Sequence, residues 1–481
     1  MPSAAGATAV RAPDRRDDPP LVVASKVLSG QAGQDARDRP EATLALRDLF
    51  LARPTLGDVG GRFAGGLLAR PTAGAGDPFA DGYTAPATRR CSAHFCLHWV
   101  RRGADAPATP AWPAATLRVL EQVWRHHVDT LGYRAPDTDG RRGGNAKFDV
   151  YLKDVGSRGL YGYCAPERRV AGQPQQASGF CVLDDDFARA QFGRAPMQTL
   201  RVTAAHEFFH AVQFAYDFTE DPWLLESTAT WMEERFADGV DDNRAYLQFG
   251  QLARPQVPLD LFETGGYAHY GNWTFWEFLG RRYGIDVVRE VWRRAGTGGG
   301  LPDDYSTQAL ARVLAPRGGL PRAYAAYAAG NLDPARTYPE GSVYPLPPVV
   351  PRRLSATARR TTVTTRLDHL TSRAVRLSPR GSLPRGQRLA LALDAPDRSR
   401  GSAAYLVLTR ADGSVQQRQI RLNRRGFGKT RVRFDRSTTS VTVVLANAST
   451  RYRCDRGTTL ACEGTPLDQR RRFVFRASLL R

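Results

Sequence analysis

The stretch Thr203-Ala-Ala-His-Glu-Phe-Phe-His-Ala-Val-Gln213 constrains this chain more than any other. Val202, Ala204, Ala205, Phe208, Phe209, Ala211, Val212 and Phe214 make it apolar nearly all the way round a helix. Such a helix has no solvent face and must be buried. Its histidines go inside with it, and buried imidazoles need partners. His206 and His210 are four residues apart and share a face, which suits two ligands of one metal ion. Glu207 lies about 60° round the helix from His210. From there it reaches a water on the metal without being a ligand, as a general base in metal-assisted hydrolysis must. A bare H-E-x-x-H also arises by chance on surface helices. The apolar flanks and the segment that follows argue against chance here.

That segment is Trp223-Leu-Leu-Glu-Ser-Thr-Ala-Thr-Trp-Met-Glu233. It predicts a second helix from Trp223 to about Phe236, with Pro222 in the first turn and Asp221 as N-cap. Glu226 sits among Leu224, Leu225, Ala229 and Trp231, where a carboxylate is rarely unpaired. A glutamate early in a helix is also favoured by the helix dipole, but two His and one Glu form a common catalytic zinc set. Two other carboxylates compete for the role. Asp217 falls two turns, about 10 Å, beyond His210, too far for a bond of about 2.0–2.2 Å. Glu220 lies in the polar turn 217–222, where a solvated carboxylate needs no metal. Glu233, two turns after Glu226, is expected to support the ligands rather than join them.

The two segments resemble the gluzincins, zinc peptidases with H-E-x-x-H on one helix and a glutamate ligand on the next. Trp223, Leu224, Glu226, Ala229 and Glu233 match the W-L-x-E-G-x-A-x-x-x-E segment of the aminopeptidase-like branch, with Ser227 in place of the usual Gly. The interval from His210 to Glu226 is shorter than in those aminopeptidases, implying a tighter turn. No G-x-M-E-N segment is present, so free-amine recognition is not implied, and no metzincin extension follows His210. The resemblance covers roughly residues 140–295 and is nearest in character to secreted bacterial metallopeptidases of uncharacterised activity. It implies a zincin-like α+β catalytic domain acting on a polypeptide substrate. Zn²⁺ would be held by His206, His210 and Glu226, with Glu207 as general base. It also implies a donor to the tetrahedral oxyanion from Tyr267, His269 or Tyr270, of which Tyr270 is the choice. In gluzincins an edge strand takes up the peptide by β-addition, and strand 148–152 or 179–183 is expected in that role.

Six cysteines fall in three local pairs, Cys91/Cys96, Cys164/Cys181 and Cys454/Cys462, none with C-x-x-C spacing. An even count at short separations predicts disulfides and an oxidising, extracellular compartment rather than a structural zinc cluster. The N-terminus conflicts with simple secretion: in residues 1–30 only Leu21-Val-Val-Ala is apolar, too short for a signal peptide's core. A removed signal, a misassigned start or a cytoplasmic protein would each account for it. No stretch is long enough to span a membrane. The formal charge is +20, carried almost wholly by arginine. With no compact nucleic-acid motif, this reads as at most non-specific contact with polyanions or cell wall.

Along the chain, residues 1–90 read as a flexible, propeptide-like segment: 1–40 disordered, 41–52 helical, 54–90 rich in Gly, Pro and Ala. The catalytic domain spans 91–332. Strands are expected at 96–100, 148–152 and 179–183, and an amphipathic helix at 116–131. His94, His98, His126 and His127 read as structural. Asp184-Asp-Asp186 can bind Ca²⁺, but lacks the alternate spacing of a calcium loop and reads as a solvated strand end or capping cluster. A Pro-rich linker covers 333–353. Period-2 strands and the Asp412-Gly413 turn then predict a C-terminal all-β sandwich over 354–481.

The chain is thus expected to be a zinc-dependent endopeptidase with a β-sandwich accessory domain. One alternative is a non-catalytic surface- or polyanion-binding protein with a vestigial zinc site. Another is a zinc hydrolase of a non-peptide bond.

Overall fold

The computed structural model describes residues 19–30, 41–73, 81–263, 266–296, 304–381 and 383–480. Three apolar runs build the first sheet, whose strands are β1 (Ala87–Cys91), β2 (Phe95–Val100), β3 (Phe148–Lys153), β4 (Gly162–Val170) and β5 (Gln173–Asp184). Their order is β1-β2-β3-β5-β4. β2, β3 and β5 run parallel, and β1 and β4 close the two edges antiparallel. Central parallel strands are covered on both faces, so they read as continuous apolar runs. Side chains alternate between the two cores: Val150, Leu152, Cys181 and Leu183 join one, Tyr151, Phe180 and Val182 the other.

Three N-terminal helices cover the second face: α1 (Pro20–Leu28), α2 (Ala42–Ala52) and α3 (Asp58–Leu67). This corrects the expectation of a flexible segment over 1–90. Ala24, Val27, Leu46, Leu49 and Leu67 are buried in one core with Tyr151, Phe180 and Val182 of the sheet, and buried Arg70 pairs with Asp139, Asp149 and Glu167. Residues 1–18 and 31–40, expected to be disordered, lie outside the described residues.

The first face is covered by α4 (Trp112–Trp124), which runs into a π-turn at 125–130, and, after the short α5 (Arg189–Phe192), by α6 (Pro196–Asp217). α6 is buried at every position from 202 to 217. The turn 218–221 reverses the chain into α7 (Pro222–Ala237). Asp221 precedes this helix but does not cap it. Its carboxylate accepts the Ser306 hydroxyl and the Cys462 N–H instead. Ser227, where a glycine was the usual residue, accepts a hydrogen bond from Trp276 Nε1 at 2.8 Å. Behind these lie α8 (Ala268–Gly271), α9 (Trp273–Tyr283), α10 (Asp286–Ala295), α11 (Ser306–Leu314) and α12 (Leu320–Gly330).

The expected linker is not a free tether. It contains α13 (Pro334–Thr337), buries Tyr338 and Tyr344, and from Val349 is already a strand. Two sheets follow, packed as a sandwich around Leu354, Leu377, Leu391, Leu406, Val443 and Phe475. The first sheet holds β6 (Val349–Leu354), β8 (Thr371–Pro379), β10 (Ser402–Arg410), β11 (Val415–Gln419) and β13 (Thr438–Asn447). The second holds β7 (Arg360–Leu367), β9 (Arg388–Asp394), β12 (Phe427–Arg433) and β16 (Arg471–Leu479). The two-residue strands β14 (Tyr452–Arg453) and β15 (Thr465–Pro466) pair beside it. The outer face of the first sheet (Ala374, Ala403, Tyr405, Val444) shares one core with the helices. All three expected disulfides are present, Cys91–Cys96, Cys164–Cys181 and Cys454–Cys462. No described helix is long and apolar enough to cross a membrane.

Candidate metal centre

α6 and α7 form an antiparallel hairpin whose facing residues are His206, His210 and Glu226, all buried. Glu226 is 0 % exposed. Its Oε2 stands 3.4 Å from His206 Nε2 and its Oε1 3.5 Å from His210 Nε2. Among the described residues neither carboxylate oxygen, nor His210 Nε2, has a hydrogen-bond partner. One ligand atom from each of the three lies within 4.8 Å of the others, so the group could hold a metal ion.

The far sides of both imidazoles are fixed. His206 Nδ1 is 2.6 Å from Glu233 Oε1, and His210 Nδ1 is 2.7 Å from Gln213 Oε1. Both ring nitrogens facing Glu226 are therefore Nε2. Gln213 is anchored in turn: its amide donates to the Leu225 carbonyl at 2.8 Å and to Thr228 Oγ1 at 3.1 Å. Gln213 lies outside the H-E-x-x-H motif, and its one sign in the sequence is a polar side chain three residues after His210 on an apolar helix.

Burial opposes charge on both histidines. It wins at His210, whose pKa falls to about 4, whereas Glu226 and Glu233 hold His206 well above the usual imidazole range. Burial alone would raise the Glu226 carboxyl, but His210 and His206 pull it down to about 2.

Glu207 lies beside this group and lines a cavity of about 240 Å³ with His206, Glu41, Tyr161, Tyr267 and Tyr270. Burial pushes its carboxyl up to about 7. Thr43 Oγ1 donates to Glu207 Oε2 at 3.1 Å and accepts the Cys164 N–H at 2.9 Å. The first turn of α2 is therefore part of the site, which no local signal in the sequence announced. Glu41 bonds to Tyr270 across the cavity. Gly162 lets β4 pass close to Glu207: a Cβ there would stand 2.8 Å from the Val182 carbonyl and 3.2 Å from Glu207 Cγ.

The structure places Tyr270 at the cavity wall, its ring 6.1 Å from that of His206, with Tyr267 on the same wall. His269 does not line the cavity; it is buried against Phe262 and Tyr270, within electrostatic reach of Glu226, and neither of its ring nitrogens has a hydrogen-bond partner among the described residues. Asp217 turns back onto Thr219, and Glu220, expected to be solvated, is buried and accepts the Asp221 and Ser306 N–H groups. Neither approaches the histidines. Strands 148–152 and 179–183 are both interior, which corrects their expected edge role. The edge beside α6 is β4, missed in the sequence, and the Cys164 N–H on it is taken by Thr43. His98 pairs with Asp149, His94 with Glu121, and His127 Nε2 with the Ala205 carbonyl.

Residues 78–302, which include this centre, match a family described as a family of unknown function, DUF6055. No curated protein matches the chain. Among solved structures, a periplasmic inhibitor of g-type lysozyme from Aeromonas hydrophila, PliG, is 8 % identical and covers 27 % of this chain and 96 % of its own, with a TM-score of 0.17. A surface-associated copper-binding protein of Methylomicrobium album BG8, CorA, is 10 % identical and covers 28 % of this chain and 100 % of its own, with a TM-score of 0.18. Likenesses this slight carry no argument about this chain.

Proposed function

We propose that the chain is a zinc-dependent endopeptidase in which His206, His210 and Glu226 hold the metal and Glu207 moves the proton. One observation carries the reading: three buried donors face one another at 3.4 and 3.5 Å, and three of the four facing atoms have no protein partner. Ligands set tetrahedrally about 2.0–2.1 Å from one zinc ion stand about 3.3 Å apart, so the spacing fits such an ion. A buried carboxylate and imidazole left unpaired would otherwise be costly. The fixed Nδ1 atoms leave both Nε2 atoms to ligate, as histidine ligands are usually held.

Zinc in this position supplies Lewis acidity, polarising a carbonyl and lowering the pKa of bound water to about 7. The protein's own groups do the rest. Glu207 takes a proton from the water that adds to the carbonyl carbon. It passes that proton to the departing amine as the C–N bond breaks, leaving a carboxylic acid and an amine. Thr43 fixes the Glu207 carboxylate, and a Tyr270 hydroxyl released from Glu41 is the donor for the developing oxyanion. The disulfides suit secretion, since such bonds persist in oxidising compartments.

A peptide-library digest by zinc-loaded protein beside Glu207→Gln tests this. Cleavage by the wild type, reduced by about 10²-fold or more in the variant, is the expected result. No cleavage of any peptide by zinc-loaded protein would count against the peptidase. Turnover of ester or other amide substrates instead would move the reading to a non-peptide hydrolase.

A further inference from the structure

Beyond the metal centre, a second set of carboxylates converges where β3 and β5 end. One oxygen from each of Asp154, Asp184 and Asp185 lies within 4.8 Å of the others. The three are not equivalent. Asp184 is a structural cap: its oxygens accept the Gly156 N–H at 2.6 Å and the Phe187 N–H at 2.7 Å. Asp154 Oδ1 accepts the Ser157 N–H at 3.0 Å. Asp185 is different. It is 5 % exposed, it points into the cluster, and no other described residue donates a hydrogen bond to its carboxylate.

No described lysine or arginine neutralises the group. The adjacent Lys153 reaches Asp81 and Asp105 instead, at 3.5 and 3.4 Å. Three like charges packed this closely, one of them buried with only its own backbone N–H as donor, are strongly unfavourable unless a cation or a proton joins them. We propose that Asp154, Asp184 and Asp185 bind a hard divalent cation, calcium in an extracellular setting. An all-oxygen donor set with room for water at the half-buried Asp154 is what calcium takes, and magnesium seldom gathers three carboxylates. The sequence could not show this, because the third carboxylate arrives from a different strand.

The site has a consequence for the cleft. Asp154 opens, and Asp184 receives, the loop that carries Gly159, Leu160 and Tyr161 to the cavity wall, and the Asp184 N–H bonds the Tyr161 carbonyl at 3.1 Å. Gly156 makes room for the arrangement, since a Cβ there would stand 2.7 Å from Asp184 Oδ1. A bound cation ties both ends of that loop together. In its absence, burial and then repulsion from Asp184, Asp186 and Asp154 push Asp185 up to about 8, and burial outweighs three backbone donors to raise Asp184 to about 6, so cation and proton compete for the cluster.

The test is calcium alone, added to the full chain after dialysis against chelator, with thermal unfolding and calorimetry as readouts. Wild type should bind with a Kd on the order of 10⁻⁴–10⁻³ M, the range of extracellular modules, and its Tm should rise as the site fills. Asp185→Ala removes a buried carboxyl that is repelled whenever it ionises, so its calcium-free Tm should be no lower than that of wild type, while its calcium response should vanish. Asp154→Ala should lose the response as well. No calcium shift in wild type up to about 10 mM, ten times the weak end of that range, overturns the proposal. So does a shift that persists in either variant. Neither readout depends on zinc or on peptide cleavage.

Discussion

Gln213 decides which nitrogen His210 presents. Its amide is held by the Leu225 carbonyl and Thr228 Oγ1, so its Oε1 is the end that faces His210 Nδ1. Replacing Gln213 by Leu removes the acceptor and frees the ring. Zinc affinity should fall by about 10- to 100-fold, the usual effect of losing a partner behind a histidine ligand, as measured by competition with a chromophoric chelator. Unchanged affinity would show that helix packing alone orients the ring. That His206, His210 and Glu226 meet could be read from the sequence because it rests on local rules: helical spacing for His206 and His210, and apolar neighbours for Glu226. Thr43 could not, since it reaches Glu207 from 164 residues away by way of α2.

Helix α2 and strand β4 form a unit that local periodicity does not reveal. The stretch with Gly156, Gly159 and Gly162 looks like a glycine-rich loop, yet Gly162 is there because β4 runs against Glu207, and β4 pairs with β5 from Gly162 to Val170. Thr43 Oγ1 both donates to Glu207 and accepts the Cys164 N–H. Thr43→Val therefore leaves a buried N–H unsatisfied and should cost about 1–3 kcal/mol in denaturant unfolding. A cost near zero would mean that water or a shifted α2 replaces the hydroxyl. The Cys164–Cys181 bond crosses the same strand pair with a sequence separation of 17. Replacing both cysteines by Ala should destabilise the protein by about 3 kcal/mol on loop-closure grounds. β8 was missed for a related reason. Val375 and Leu377 face the sandwich core while Ala374 faces the helical layer, and the exposed Arg373 and Arg376 fall on opposite faces, so the strand lacks alternation.

At the scale of the whole molecule, the helical region and the sandwich are clasped together rather than tethered. Asp260, which follows α7 by a long loop, is fully buried. It pairs with His369 at 2.8 Å, accepts the Tyr452 hydroxyl at 2.7 Å and accepts the Ala461 N–H at 3.1 Å. Burial opposes both charges, but each partner outweighs it: His369 is raised above its ordinary pKa and Asp260 lowered below its own. The His369 contribution is complete below its unfolded pKa of about 6.5 and is lost as pH rises through the raised folded value. The Asp260 contribution is complete above about 3.9 and is lost as pH falls through the lowered folded value. The stability difference between wild type and His369→Gln should thus be greatest between about pH 4 and 6.5 and shrink at alkaline pH. A pH-independent difference in unfolding free energy would contradict the ion pair. The period-2 strands made the sandwich legible, but not this clasp, whose groups lie far apart in sequence and meet only when two cores pack.

Everything proposed for the chemistry stands on one zinc ion held between α6 and α7. Zinc titration of the purified full chain, of Glu226→Ala and of a Glu220→Ala control measures it directly. Glu220 is buried close by in sequence but is engaged with the Asp221 and Ser306 N–H groups, away from both histidines. Wild type and Glu220→Ala should each bind one equivalent tightly, and Glu226→Ala should bind far more weakly. Equal zinc retention by Glu226→Ala and wild type would contradict the ligand set, and with it the peptidase.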